Sequence, residues 1–423
     1  MQAHSHTPNR PKRGTIFAQK IALLFVCATF CGCIGENPQS HSTYLPLNDT
    51  EYPYAGVPRI VIETEGFQEI RDNETEIPAK LQIWGKNAPE SEVLNLTIRG
   101  RGNSSFMMTK YSLKLEFFEK QKLFGMPANK DWNLISNFRD KTHLRNYITF
   151  LLAKSLGDYA TRSCFTEIYL NRQYLGLYLF TESVKVGKNR VNIPKNDSSF
   201  LIEKTRENNA KENLFTTNRK YLFELKYPKR PSQETIQLVK SHFNDFESYL
   251  KENSFTKENP LTHWIDIESF LRYYWIQEFS KNRDGNFGRS IFITWEKGGL
   301  IKMGPVWDFD LAYGIWNFDT TPPSDWFIRH FGWYGLLFDH ESFENLAKEY
   351  WKNHRGDFLA ITSSIDSLAL QVRKAVLNDE KRWPILKNDD SWPFIDKYES
   401  YEKAVDSLQS WMTQRIKWMD ENL

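Results

Sequence analysis

Between residues 58 and 202 apolar side chains tend to recur at every second position, the period of a half-buried strand. Residues 59–63, 79–84 and 93–98 form short β-rich runs. Residues 111–117 alternate cleanly, with Tyr111, Leu113, Leu115 and Phe117 on one face. A helix is expected over 142–156. A hairpin follows, with strands at 167–170 and 175–180 and a turn at Asn171-Arg172. After about residue 230 the period changes. Ile236, Val239, Phe243, Phe246 and Leu250 share a helical face, as do Ile267, Phe270, Leu271, Tyr274, Trp275 and Glu278, with Asp266 placed as an N-cap. Strands at 291–295 and 300–303 flank Gly298-Gly299, and the chain closes on a helix carrying Val405, Leu408, Trp411, Ile416 and Met419. The pattern predicts an α+β protein with a β-rich N-terminal half (58–230) and a helix-rich C-terminal half (231–423).

The first 57 residues differ. A basic stretch precedes the apolar run 21–30, which is too short to span a bilayer. Phe30-Cys31-Gly32-Cys33 follows and resembles a lipobox, so residues 1–32 read as a lipoprotein signal peptide. Cys33 is the expected lipidated residue, with Cys31 the alternative. Residues 33–57, rich in Pro, Ser, Asn and Thr, read as a polar tether. These features predict a bacterial envelope location, on the periplasmic face or the cell surface, with the membrane reached through a lipid anchor only.

Composition narrows the class. The 423 residues hold 14 Trp, 19 Tyr and 30 Phe, enough for a large core. Loss of residues 1–32 leaves 51 basic against 53 acidic side chains, so no nucleic-acid partner is expected. Of four cysteines only Cys164 remains beyond Cys33, which rules out an internal disulfide or a multi-cysteine zinc site in the mature chain. Cys164, in an apolar run, is expected to be a buried small hydrophobe. No Walker A loop, His-Glu-x-x-His helix or Gly-x-Ser-x-Gly elbow is present.

The candidate chemistry lies in acids and glycines. In Gly304-Pro-Val-Trp-Asp-Phe-Asp310 an extended backbone would turn Asp308 and Asp310 to one side and Phe309 to the other. Paired carboxylates are hard ligands for Mg²⁺ and for the phosphates it carries. Upstream, Asp284 stands in a loop between a helix and a strand, placed to accept a hydroxyl proton, and Asn286 offers a metal-binding carbonyl. Arg99-Gly-Arg-Gly-Asn-Ser-Ser105 joins two strands. Gly100, Gly102 and Ser104 there form either an anion-binding turn or a plain hairpin loop. Lys110 or Lys114 is either a phosphate-holding lysine or a solvated edge residue, and Glu182, at the end of an apolar strand, either orients that lysine or simply leaves the core there. Arg145 and Asn146 open the 142–156 helix and read as structural. The aromatics after the acid pair (Trp316, Phe318, Trp326, Phe331, Trp333, Tyr334) suit acceptor recognition, sugar stacking or core packing. The order of helix, aspartate loop, hairpin and paired aspartates is the order found in protein kinases.

Taken together with Lys110-Tyr-Ser-Leu-Lys114, Asp131-Trp132, Asp140-Lys-Thr-His-Leu-Arg-Asn146, Gly176-Leu-Tyr-Leu-Phe-Thr-Glu182 and Asn282-Arg-Asp284, these motifs resemble the CotH family, named after spore coat protein H. The resemblance covers roughly residues 95–315. It implies an atypical protein-kinase-like fold and transfer of phosphate from ATP, with Mg²⁺ or Mn²⁺, to a Ser or Thr hydroxyl of a protein acceptor. It also implies Asp284 as catalytic aspartate, Asp308 and Asp310 as metal ligands, and Lys110 or Lys114 with Glu182 at the nucleotide. The chain departs from the pattern at Arg289, where some members carry a metal-binding asparagine. A catalytically silent kinase-like scaffold or adhesion lipoprotein, and a polysaccharide-associated lipoprotein using the aromatics, are the alternatives.

Overall fold

A computed structural model describes residues 47–102, 105–206, 211–252, 255–315, 321–387 and 397–423. Cys33, Ser104, Trp316 and Phe318 lie outside the described residues. Seven strands form a closed barrel: β1 (Arg59–Thr64), β2 (Ile77–Trp84), β3 (Leu94–Arg101), β4 (Ser112–Gln121), β5 (Asn129–Ile135), β6 (Ser163–Leu170) and β7 (Gln173–Glu182). The order around the barrel is β1-β2-β3-β4-β5-β7-β6. All pairs are antiparallel except β1 with β6, which closes the barrel in parallel.

Alternation explains the barrel. Leu113, Leu115 and Phe117 of β4 face inward beside Leu96, Ile98, Trp132 and Phe180, while Lys114 and Glu116 face out. The interior is therefore filled by side chains and carries no channel. The β6–β7 turn is the expected one, with Asn171 and Arg172 both at positive φ. Cys164 is half-buried against this core, more exposed than expected. The last residues of the expected tether are packed here: Tyr52 stacks on Tyr174 at 4.1 Å, and Asp49 pairs with Arg59 at 2.8 Å.

A second, five-stranded sheet has the order β12-β11-β8-β10-β9. Its strands are β8 (Ser199–Thr205), β9 (Leu214–Thr216), β10 (Leu222–Tyr227), β11 (Ile291–Glu296) and β12 (Lys302–Met303). Helices surround it. They are α1 (Arg145–Ser155), α2 (Gln233–Lys251), α3 (Ile267–Ser280), α4 (Gly332–Leu337), α5 (Glu341–Ser363), α6 (Ile365–Arg382) and α7 (Tyr401–Glu421). Asp266 caps α3 as expected, accepting from the Ser269 N–H. α1 begins three residues later than expected. The Asp140 carboxylate accepts from the Thr142 and Arg145 N–H groups at 3.0 and 2.7 Å, which holds 140–144 as a turn and caps the helix. No described helix is long and apolar enough to cross a membrane.

Among the described aromatics after the acid pair, Trp333 and Tyr334 belong to the core. Trp333 is fully buried against Phe243, Phe246 and Phe287, its Nε1 donating to Glu247, and Tyr334 is equally enclosed. Trp326 is half-buried, and Phe331 is 37 % exposed. A sugar platform built on Trp333 and Tyr334 is thereby excluded, because neither ring face reaches solvent.

Candidate active site

Two loops at the end of the second sheet meet beside one cleft, which the second of them lines. The first, residues 281–290, follows α3. The second, residues 304–314, follows β12. Asn282 Nδ2 donates to the Asp308 carbonyl at 3.1 Å, and Ser290 Oγ donates to Asp308 Oδ2 at 2.9 Å, so the first loop fixes the second. α1 holds it from the other side. Asn146 Oδ1 accepts from the Phe309 N–H at 2.8 Å, and Arg145 Nε donates to the Ala312 carbonyl at 2.9 Å. The structural reading of Arg145 and Asn146 agrees with these contacts, and Asn146 also reaches the cleft wall.

Asp308 and Asp310 both line the cleft while Phe309 is fully buried. The expected route to that convergence is incorrect. Residues 306–310 are not a strand, and Asp308 sits at φ 70, in the left-handed region. The anchoring of Phe309 and its N–H orients the acids, not strand alternation.

The electrostatics join three acids. Burial, and then the charge of Asp308, push the Asp310 carboxyl up to about 8, against Arg139. Asp310 is half-buried and lines the cleft. Asp284 is raised by the same two causes in the same order, against Arg289, Arg206 and Arg139. Asp284 Oδ1 and Asn282 Oδ1 are buried and accept no hydrogen bond among the described residues. Crowded carboxylates and orphaned oxygens fit a hard divalent cation. Asp308 and Asp310 would hold it, beside the Asn282 amide. Among the described residues no three His, Cys, Asp or Glu side chains converge on one metal position, so other ligands would come from amide oxygens, water or phosphate. The cavity is about 40 Å³. That space admits an ion or water, whereas a small-molecule site is typically some 300–1,000 Å³, so a nucleotide requires the cleft to open.

Several expected site residues are elsewhere. Lys110 is wholly buried. Its Nζ donates to Asp379 Oδ1 and to the Leu177 carbonyl, both at 2.7 Å, and so fastens α6 to the barrel. It does not line the cleft. Lys114 lies on the outer barrel face, 3.3 Å from Glu116 and 3.7 Å from Asp131, and does not line the cleft. Glu182 pairs with neither lysine. It accepts from Arg162 Nη2 at 2.9 Å and Tyr159 Oη at 3.1 Å, with Arg190 at 3.6 Å. Asn286 Oδ1 accepts from Arg206 Nη2 at 3.2 Å, and Asn286 does not line the cleft. At Gly100 a Cβ would stand 2.1 Å from the Phe106 ring, so packing requires a glycine here, and its N–H donates to the Asp72 carbonyl at 3.0 Å. Gly102 sits at φ 82, and a Cβ there would stand 2.0 Å from Ser105 Oγ, so this glycine leaves room for Ser105, which lines the cleft.

Arg101, Arg139, Asn146 and Asn282 were not singled out from sequence as site residues. Arg101 lines the cleft, and Asp310, Asp284 and Asp308 act in that order on Arg139. Arg101 was inside the quoted glycine loop, and its alternation with Arg99 was the available signal.

No curated protein matches the chain. The family model described as CotH kinase protein matches residues 98–419, a span that contains both loops, α1 and the Arg-Gly-Arg-Gly turn. The chain therefore belongs to the CotH kinase family.

Proposed function

We propose that this protein is a CotH-like kinase that transfers the γ-phosphoryl group of ATP to a Ser or Thr hydroxyl of a protein acceptor at the cell envelope, tethered there through a lipidated Cys33. The observation carrying the reading is the common field of Asp308 and Asp310, which line one cleft, and the buried Asp284 beside them. Asp284, raised above an ordinary carboxyl by burial, is a better base than a solvated aspartate. The acceptor oxygen bonds to the γ-phosphorus, the bond to the β–γ bridging oxygen breaks, the hydroxyl proton passes to Asp284, and ADP leaves. Mg²⁺ or Mn²⁺, bound by Asp308 and Asp310, would neutralise phosphate charge. The helical half supplies Asp284 and the acid pair, and the barrel supplies the Arg-Gly-Arg-Gly loop opposite, a two-sided cleft of the kind a kinase-like fold uses.

A second reading, a silent kinase-like scaffold, is favoured by one contact: Arg289 Nη2 lies 3.4 Å from Asp284 Oδ1 and competes for the base. Incubation of residues 34–423 with γ-³²P-ATP, divalent metal and an acceptor panel tests both. Transfer by the wild type, lost in Asp284→Asn and Asp308→Asn, is expected. Equal labelling by all three removes the assigned roles. Thermal stabilisation by Mg·ATP without transfer supports the silent reading, since a ligand at 100 times Kd adds about 2.7 kcal/mol.

A further inference from the structure

Among the described residues the cleft holds a cation whose fork meets no acceptor. The Arg101 guanidinium lines the same cleft as Asp308 and Asp310, and among the described residues it makes neither a side-chain hydrogen bond nor an ion pair. Its close neighbour is the Trp307 ring, whose centroid lies 4.9 Å from Cζ. Protein packs round Arg101 deeply enough that burial lowers its pKa, with Asp308 opposing most strongly. Arg101 is half-buried, so its fork still opens on the cleft, and a guanidinium held over an aromatic face has its plane fixed in advance.

The other cations expected at the nucleotide are already committed. Lys110 serves Asp379, and Lys114 serves Glu116 and Asp131. The Ser105 and Ser136 side chains border the same cleft as Arg101.

The geometry points to Arg101 as the anion-binding residue of this site, its planar fork taking two oxygens of a metal-complexed polyphosphate. The choice of ligand rests on the phosphoryl-transfer reading, whereas the unspent guanidinium does not. A planar fork matches a phosphoryl group bidentately, and the acid pair across the cleft demands that the anion arrive with a divalent cation. ATP and inorganic triphosphate share that chemistry. Trp307 would orient the fork, and the missing side chain of Gly102 leaves room for Ser105.

Calorimetric titration with sodium tripolyphosphate in excess MgCl₂, and in parallel with Mg·ATP, tests the assignment. Wild type is expected to bind both. Arg101→Met should weaken both by about 10- to 100-fold, the loss of a charge-assisted bidentate contact. Arg101→Lys keeps the charge but loses the fork and should fall about tenfold. ATP affinity that falls while tripolyphosphate never binds the wild type overturns the assignment, as do equal affinities across the three proteins. If Arg101→Met does not fold by circular dichroism, Arg101→Lys decides alone, and wild-type affinity in it overturns the assignment. Phosphoryl transfer is scored separately. Transfer with an unchanged KM for ATP in Arg101→Lys refutes Arg101 and leaves the kinase. Arg101-dependent triphosphate binding with no transfer keeps the site and refutes the kinase.

Discussion

Arg289 Nη2 stands 3.4 Å from Asp284 Oδ1, five residues further along the same loop. The position that some CotH members give to an asparagine here carries a cation that lowers the pKa of the proposed base. Arg289→Ala removes that influence and leaves burial and Asp308, both of which raise Asp284. The acid limb of the pH–rate profile for phosphoryl transfer should therefore move to higher pH in Arg289→Ala. An unmoved limb would mean that Asp284 is not the titrating base.

The Lys110–Asp379 pair makes a different prediction, about stability. Both side chains are fully buried and 2.7 Å apart, and Asp379 Oδ1 also accepts from the Leu177 N–H at 2.7 Å. Loss of one partner strands a buried charge, which typically costs about 3–5 kcal/mol. Lys110→Met should lower stability to chemical denaturation by that order. Lys110→Met combined with Asp379→Asn should recover part of it, because no net charge is left and the acceptor for Leu177 remains. At a temperature where Lys110→Met is folded, its KM for ATP should equal that of the wild type. A large rise in KM would restore Lys110 to the nucleotide site.

His143 lies in the same buried cluster, its Nε2 3.6 Å from Asp379 Oδ2. Burial first, with Lys110 adding to it, pushes its pKa down from 6.5 to about 4, against Asp379. The unfolded chain thus takes up a proton between pH 6.5 and 4 that the folded chain refuses. The stability this neutral imidazole contributes is full above about pH 6.5 and is lost as pH falls toward 4. His242, stacked on Trp295 at 4.0 Å and also lowered to about 4, adds a term of the same sign. His143→Asn, which tolerates the φ of 59 at this position, should flatten the dependence of unfolding free energy on pH between 6.5 and 4. An unchanged slope would show that His143 is charged in the native state.

How much of this was legible depends on sequence distance. The β4 alternation, the Asp266 cap, the Asn171-Arg172 turn and the hairpin around Gly298-Gly299 are local patterns, and each produced the expected element. Closure of the barrel was not readable, since β1 pairs with β6 across more than a hundred residues and no local rule selects that partner. Lys110 looked available because its counter-ion lies 269 residues away. The convergence of Asp308 and Asp310 was anticipated for the wrong reason, because the bond that turns Phe309 inward comes from Asn146, 163 residues earlier. Arg101 was visible as a residue, but its aim depends on Trp307.

The acid pair itself makes a metal prediction with a definite sign. The metal-free Asp310 carboxyl is raised from 3.8 to about 8 by burial and by Asp308. Any stability from that raised pKa is full below about pH 3.8 and is lost as pH rises through about 8, where the native carboxyl must ionise beside Asp308. A divalent cation binds the ionised form, so below pH 8 it has to displace the proton. The rise in Tm produced by a fixed MgCl₂ concentration should therefore grow with pH and level off above about 8. Asp310→Asn should abolish the pH dependence together with most of the Mg²⁺ effect. In Asp308→Asn the second cause of the shift is gone, so the plateau should begin at lower pH while the Mg²⁺ effect shrinks. Mg²⁺ stabilisation that is flat across pH 5–9 in the wild type would mean that neither carboxylate holds the ion.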